Sequence, residues 1–429
     1  MPCPLCVISS TIEPNLNVLR TMQTYLVGGA VRDELLGLAV KDRDWVVVGA
    51  RPEDLEAEGY QRVGADFPVF LHPQSKEEYA LARTERKSGH GYTGFDVQFD
   101  PSVTLEDDLL RRDLTINAIA KSDTGELVDP YGGLADIENK QLRHVSPAFR
   151  EDPLRVLRVA RFAARFANLG FEVATETRDL MRTMVNDGEL QYLVHERVWQ
   201  EMSRALLEPS PECFFRELRA CGALKVILPE LDALFGVPQT MRWHPEIDTG
   251  IHTLKALQIA VQISDSLDVR LATVCHDFGK GLTDPKYWPS HRGHEEAGAQ
   301  DIARVATERK WPKKPARLAE LTARYHTHCH KIDELKAATI VKTLEAFAAF
   351  RQPETFEHFL LACEADARGR SGLEQQPYPQ ADQFRACLAA CQSVKPADLM
   401  AQGYEGAKLG EAIHRARVNA VKDVQKTWN

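Results

Sequence analysis

The hydrophobic rhythm of the chain changes near residue 150. Before that point apolar residues cluster in short runs, at Gln23–Val27, Asp44–Val48 and Val69–Leu71, which predict β-strands. Between them, Ala30–Leu36 and Leu105–Ala120 carry apolar residues at helical spacing and predict helices. From Glu151 to the end the helical period takes over, interrupted only by short breaks such as Glu208-Pro-Ser-Pro and Gly236-Val-Pro. The expected fold is an α+β head followed by an all-α remainder. Residues 1–21 show no periodicity, hold three prolines and lack a basic region ahead of a long apolar stretch. They read as a disordered extension, or as an upstream start chosen in place of Met22, and not as a signal peptide.

Composition narrows the class without naming a function. At 429 residues the chain has room for two to four folding units of roughly 150 residues each. With 44% hydrophobic and 27% charged residues it is an ordinary globular protein, which excludes wholesale disorder. No run approaches the ~20 apolar residues of a membrane span, so a soluble protein with no membrane partner is expected. The 53 basic against 62 acidic residues leave a net charge of −9, which argues against an overall nucleic-acid-binding surface but not against a local basic patch. Nine scattered cysteines without zinc-finger spacing read as free thiols in a reducing cytoplasm.

Chemistry concentrates first in the head. Val27-Gly28-Gly29-Ala30-Val31-Arg32-Asp33 joins a strand to a helix through a Gly-Gly turn that lets backbone N–H groups approach a phosphate, with Arg32 placed to fork onto its oxygens. Thirteen residues after Gly29 stands Asp42, in Lys41-Asp42-Arg43-Asp44, which runs into Trp45-Val46-Val47-Val48. On a strand Asp42 and Asp44 share a face, and two adjacent carboxylates without an internal cation suit a hard ion such as Mg²⁺. The bland alternative is a charged loop before a buried strand. In Arg111-Arg112-Asp113-Leu114-Thr115-Ile116-Asn117-Ala118, Arg112 is assigned to a triphosphate. Asp113 is assigned to an arginine pair tying helix to sheet.

Further on, Asp152, Arg155, Arg158, Arg161 and Arg165 step by three or four and share a helix face, with Asp152 at the N-cap and Pro153 at the first helical position. A solvated basic face would look the same. A carboxylate beside a guanidinium, however, complements a base edge that presents an amine next to an acceptor nitrogen, as cytosine and adenine do. Guanine and uracil present the reverse and would leave polar groups unpaired.

Taken together, GGAVRD, KDRDWVVVG, RRDLTINAIA, DPYGGLADI, EDPLRVLRVARF and HERVWQEMSRALLEP resemble the class II, bacterial-type CCA-adding tRNA nucleotidyltransferases from about Met22 to the end. The resemblance implies a polymerase-β-like nucleotidyltransferase head at 22–145. A helical neck and body at 146–240 would handle base selection and tRNA binding, and a helical tail would cover 371–429. By match, Asp42 and Asp44 resemble the catalytic metal carboxylates. Gly29, Arg32, Arg112, Arg158 and Arg161 resemble nucleotide-contacting positions, and Asp152 with Arg155 the protein template that reads the base. The implied activity is addition of CCA to the tRNA acceptor arm from CTP and ATP, with Mg²⁺, in a cytoplasmic monomer or homodimer. A third polymerase carboxylate, if one exists, falls to Glu78 or Glu85 in a segment expected to be flexible, and spacing does not choose between them.

The second concentration of chemistry is histidine. Eight of the 14 histidines lie between 244 and 330. His252, the His276-Asp277 dipeptide and Asp366 lie on separate predicted helices and could converge as a mixed nitrogen and oxygen metal site, with His294 and His326 as further ligands. This order resembles the HD superfamily of phosphohydrolases and implies such a domain at 245–370, with Lys280 neutralising phosphate. It also implies phosphatase, 2′-nucleotidase and 2′,3′-cyclic phosphodiesterase activity, with Ni²⁺ or another divalent transition metal. Whether His328 or His330 joins the site is open. Two alternatives compete: a poly(A) polymerase sharing the head motifs, and a catalytically dead RNA-binding scaffold.

Overall fold

The computed structural model describes residues 22–63, 69–87, 95–98, 100–241 and 244–428, with the backbone alone at 85–87 and 95–98. The extension expected at 1–21 lies outside the described residues. The described residues divide into two compact units: one draws on those up to Arg86 and within Asp96–Arg112 and Ile116–Leu134, the other on those within Lys87–Phe95, Asp113–Thr115 and from Ala135 on.

The first unit is built on a seven-stranded sheet in the order Gln61–Val63, Val69–Leu71, Glu78–Leu81, Asp44–Val48, Gln23–Val27, Ala120–Ser122, Leu127–Val128. Its three leading strand predictions, Gln23–Val27, Asp44–Val48 and Val69–Leu71, are all present. Asp44–Val48 is central because Val46 and Val47 are both buried, and β-branched side chains pack well on a pleated surface. It runs antiparallel to Gln23–Val27, setting Val27 opposite Asp44, and parallel to Glu78–Leu81, setting Asp44 beside Glu78. Val47, Ala50, Leu55, Phe70 and Leu81 form the core on which the strands rest.

Two expectations need correction here. The long helix Leu105–Ala120 is only Leu105–Leu110, followed by a 3-10 turn at Thr115–Asn117 and the strand Ala120–Ser122. Thr104 and Asp107 cap its start reciprocally, but the Asp113 carboxylate takes the N–H of Leu114, and Thr115 N–H goes to Arg143 O. Side-chain and long-range partners thus replace the helical ladder. Leu114, Ile116, Ala118, Ile119 and Ala120 are fully buried, so their apolar spacing records packing and not helical period. Asp42, expected on the strand, precedes its first residue, Asp44.

In the second unit the helix Leu154–Phe166 packs on Pro211–Ala220 and His195–Leu206. Further along, Leu267–Cys275, Lys313–His330 and Pro353–Arg368 share a core that includes Phe347, Phe356, Phe359 and Phe384. Each buried ring contributes about 2 kcal/mol of transfer free energy, several times an exposed pair such as Lys426–Asp423. That core is what holds the histidine-bearing helices in place.

Candidate functional site

In the head, Gly28 has φ +70°, and a Cβ there would stand 2.9 Å from Arg112 Nη1, so glycine suits both the backbone and the guanidinium lying against it. Arg112 shares the buried Asp108 carboxylate with Arg111, at 3.1 and 2.6 Å, while its Nε is buried without a hydrogen-bond partner. Burial alone would raise Asp108, but the two arginines outweigh it and hold its pKa below the usual value. Asp42 and Asp44 are both exposed. Desolvation raises the pKa of Asp44, Arg112 opposes the rise and Asp42 adds to it, which places all three charges in one field. An oxygen-preferring cation fits this donor set.

Arg32 lies beneath the turn that begins the short helix Gly29–Leu35. It is buried and committed, with Nε and Nη2 on Asp33 at 2.9 and 2.8 Å and Nη1 on Asn117 Oδ1 at 2.5 Å. Of the two glutamates left open by spacing, register places one. Glu78 is no loop residue: it sits on a strand directly beside Asp44 and therefore on the same face. The side chain of Glu85 lies outside the described residues.

In the neck, the helix starts at Leu154, one residue later than expected. The Asp152 carboxylate accepts the N–H of Leu154 at 3.0 Å and meets Arg197 Nη2 at 3.2 Å. Arg155 donates to Ala148 O at 2.9 Å. Arg158, on this neck helix, binds Asp113 at 2.6 Å. Arg161 is buried and paired with Glu201 at 2.7 Å. The arginine face is thus partly a set of internal ion pairs. Arg197 and Glu201, from the HERVWQEM stretch, hold Asp152 and Arg161 across the fold, a role that leaves no periodic mark in the sequence.

The histidine centre is drawn from five separate stretches of chain. His252 sits on Thr249–Ile263, His276 and Asp277 follow Leu267–Cys275, His294 begins His294–Glu308, His326 lies on Lys313–His330, and Asp366 on Pro353–Arg368. Asp366 Oδ1 lies 2.9 Å from His252 Nε2 and 3.7 Å from His276 Nε2. Asp277 Oδ1 lies 3.6 Å from both His294 Nε2 and His326 Nε2. The close approach is local in origin: a Cβ on Gly279 would stand 1.9 Å from His294 O, so only glycine lets the Asp277 turn meet that helix. His330 Nε2 reaches Asp366 Oδ2 at 2.7 Å, whereas His328 turns to Thr343, which settles which of the two faces the centre. Lys280 Nζ holds Asp277 Oδ2 at 2.6 Å.

The donor set fits a metal ion. His276, His294 and His326 each give the Nδ1 hydrogen to a backbone carbonyl (Thr273, His291 and Ala323, at 2.6, 2.8 and 2.9 Å), which aims Nε2 at the carboxylates. His276 Nε2 and Asp277 Oδ1 are buried with no hydrogen-bond partner, although Nε2 stands 3.2 Å from Asp277 Oδ2 as an ion pair. Burial would raise both aspartates, yet Lys280 and His276 hold Asp277, and His276 and His330 hold Asp366, well below the carboxylate range. Burial pushes His276 down, but Asp277 and Asp366 lift it to about 9. Positive charge, as proton or metal, is favoured at Nε2.

Comparison with known proteins agrees with this layout. Residues 24–143 match the poly A polymerase head domain, 170–235 the probable RNA and SrmB-binding site of polymerase A, and 249–350 the HD domain. The multifunctional CCA protein of Hahella chejuensis is 61% identical over 94% of this chain and 95% of that protein. That of Thioalkalivibrio sulfidiphilus is 56% identical over 95% of this chain and 100% of that protein. The chain belongs to the multifunctional CCA proteins. Among solved structures, a CCA-adding enzyme in its apo form II shares the fold with TM-score 0.64 at 20% identity, covering 94% of this chain and 88% of that one. The Bacillus stearothermophilus CCA-adding enzyme in complex with CTP gives TM-score 0.60 at 23% identity, covering 94% of this chain and 90% of that one. The α+β head and helical HD domain expected from the sequence are thus present.

Within this family member, sequence reasoning passed over Glu246. Its carboxylate lies 2.9 Å from His252 Nδ1, accepts Ser371 N–H at 3.1 Å, and is 2% exposed. A carboxylate behind a metal-bound imidazole fixes the ring and raises its basicity. Glu246→Gln is expected to weaken Mn²⁺ binding by about tenfold or more, measured by calorimetric titration of metal-stripped protein. Unchanged affinity would show that Glu246 only packs.

Proposed function

We propose that this cytoplasmic protein adds and repairs the 3′-terminal CCA of tRNA from CTP and ATP without a nucleic acid template. The observation that supports the reading most strongly is the Asp42/Asp44 pair set against the Gly28 turn and the Arg112 guanidinium, in a chain 56–61% identical to multifunctional CCA proteins. In the reaction the tRNA 3′-hydroxyl oxygen attacks the α-phosphorus, the bond to pyrophosphate breaks, and the hydroxyl proton leaves to solvent. Asp42 and Asp44 would hold Mg²⁺, which when bound would supply activation of the hydroxyl and charge neutralisation on the leaving group. Arg112 brings its unpartnered Nε to the phosphates, and Arg32 braces the turn from below.

Asp152 and Arg155 are the base readers. Incubation with tRNA lacking its 3′ end and each labelled nucleotide is expected to show incorporation of CTP and ATP only, ending after CCA; a long adenylate tail would instead make this a poly(A) polymerase. Asp152→Ala is expected to raise GTP and UTP incorporation relative to CTP and ATP, because the acceptor that rejects a carbonyl-bearing edge is gone. The lost cap costs about 1 kcal/mol and the partly exposed Arg197 pair about 1 kcal/mol or less, together too little to unfold the neck. An unchanged preference would reduce Asp152 to a helix cap.

The HD centre is proposed as a second active site with phosphatase, 2′-nucleotidase and 2′,3′-cyclic phosphodiesterase activity, supported by the unpartnered His276 Nε2 and Asp277 Oδ1. His252, His276, Asp277 and Asp366 would hold Ni²⁺ or another divalent transition metal, with His294 and His326 as further ligands. Water adds to phosphorus, one P–O bond to ribose breaks, and the leaving oxygen takes the proton.

A further inference from the structure

A cavity of about 670 Å³ opens beside the histidine centre, lined by four cations, Lys280, Lys331, Arg368 and Arg370, against two carboxylates, Glu334 and Asp366. Two of its cations are already committed. Lys280 is held by Asp277 and Gln239, and Arg368 donates to Glu374 O at 2.9 Å and pairs with Glu364 at 2.7 Å. Arg370 differs. It lines the same cavity, its Nε is buried without a hydrogen-bond partner, and no carboxylate pairs with it among the described residues. Leaving such a donor unsatisfied carries a desolvation penalty, and arginine cannot shed its charge to escape. Lys331 stands exposed on the rim nearby. Two further atoms on the wall are buried and unpartnered: Gln239 Nε2, a donor, and Gln380 Oε1, an acceptor.

A phosphate undergoing hydrolysis at the centre already faces Lys280 and the metal-ligand cluster. Arg370 and Lys331 are left for a second anionic group, and a guanidinium fork matches phosphate oxygens. The two glutamines supply the opposite polarities that a ribose or base edge requires. We infer that this cavity takes a ribonucleotide bearing a second phosphate on its 5′ oxygen, held by Arg370, so that the preferred substrate class is an RNA 3′ end and not a mononucleoside phosphate. Every 3′-terminal nucleotide of an RNA carries such a 5′ phosphodiester. The inference rests on the hydrolase reading and names the substrate class for that site.

The test compares adenosine 2′,3′-cyclic phosphate, the same compound with a 5′-phosphate, and a dinucleotide ending in the cyclic phosphate. The native protein is expected to show kcat/KM about tenfold higher for the second and third than for the first, a ratio that corresponds to about 1.4 kcal/mol. In Arg370→Gln the ratio falls to about one, and Arg370→Lys retains part of it. Because the readout is a ratio within one preparation, a fraction of misfolded protein cancels. Calorimetric titration of metal-free protein with the first two compounds is expected to show the same advantage in affinity, lost in Arg370→Gln. Equal rates on the three substrates in the native protein, or an undiminished ratio in Arg370→Gln, overturn the inference. An advantage for the free 5′-phosphate alone places the second phosphate correctly but overturns RNA as the substrate. No hydrolysis of any of the three overturns the hydrolase reading itself, and this inference with it.

Discussion

Alanine at Asp42 or Asp44 is expected to abolish nucleotide addition to tRNA while hydrolysis of 2′,3′-cyclic nucleotides continues. Both carboxylates are exposed, and neither belongs to the core of Val47, Ala50, Leu55, Phe70 and Leu81, so the head should fold without them. What they supply is negative charge where Arg112 alone would leave the site positive. Losing a bound cation removes several kcal/mol of transition-state stabilisation, and about 4 kcal/mol corresponds to roughly a thousandfold in rate. Asp44 should be the more sensitive of the two. It is fixed by strand pairing on both sides, to Val27 and to Glu78, whereas Asp42 lies in the segment before the strand. Primer-extension assays on tRNA lacking its 3′ end measure the loss. More than a few per cent of native addition in both variants would remove these carboxylates from the chemistry.

How much of this was legible beforehand depends on whether a feature is local. The Val-rich run at 45–48 and the Gly28-Gly29 turn read correctly because burial on both faces and positive φ leave marks in the sequence itself. The helix over Leu105–Ala120 misread because an apolar segment packed against several elements imitates a helical period. The arginine face of the neck shows the same limit at the level of function. Spacing put Arg158 and Arg161 on one stripe, but their partners Asp113 and Glu201 come from other parts of the chain, and long-range pairing leaves no periodic signal. Glu78 and Glu246 are missed or left open for that reason too: each gains its meaning from a neighbour that only folding supplies. His252, His276, Asp277 and Asp366 were found because their order carries the signal, although 114 residues separate the first from the last.

The two sites should also part company in a metal titration. His276→Ala and Asp277→Ala are expected to eliminate hydrolysis of 2′,3′-cyclic nucleotides and leave CCA addition largely intact. The two sites are more than 200 residues apart in sequence and belong to different compact units. His276→Ala is the cleaner variant. It takes one positive neighbour from Asp277 and Asp366 but leaves Lys280 on Asp277 and His330 on Asp366, whereas Asp277→Ala leaves the buried Lys280 ammonium without its carboxylate, a loss of about 3–5 kcal/mol. Thermal melts should therefore accompany both variants. Metal preference gives an independent axis. Asp42 and Asp44 offer oxygen alone and suit Mg²⁺, while imidazole nitrogens favour Ni²⁺, Co²⁺ or Mn²⁺ by the usual order of first-row affinities. After chelation, Mg²⁺ should restore addition, and only the transition metals should restore hydrolysis. If Mg²⁺ restores both equally, the nitrogen ligands do not hold the hydrolytic metal. If His276→Ala stops addition in a chain that still melts cooperatively, the separation of the two activities is wrong.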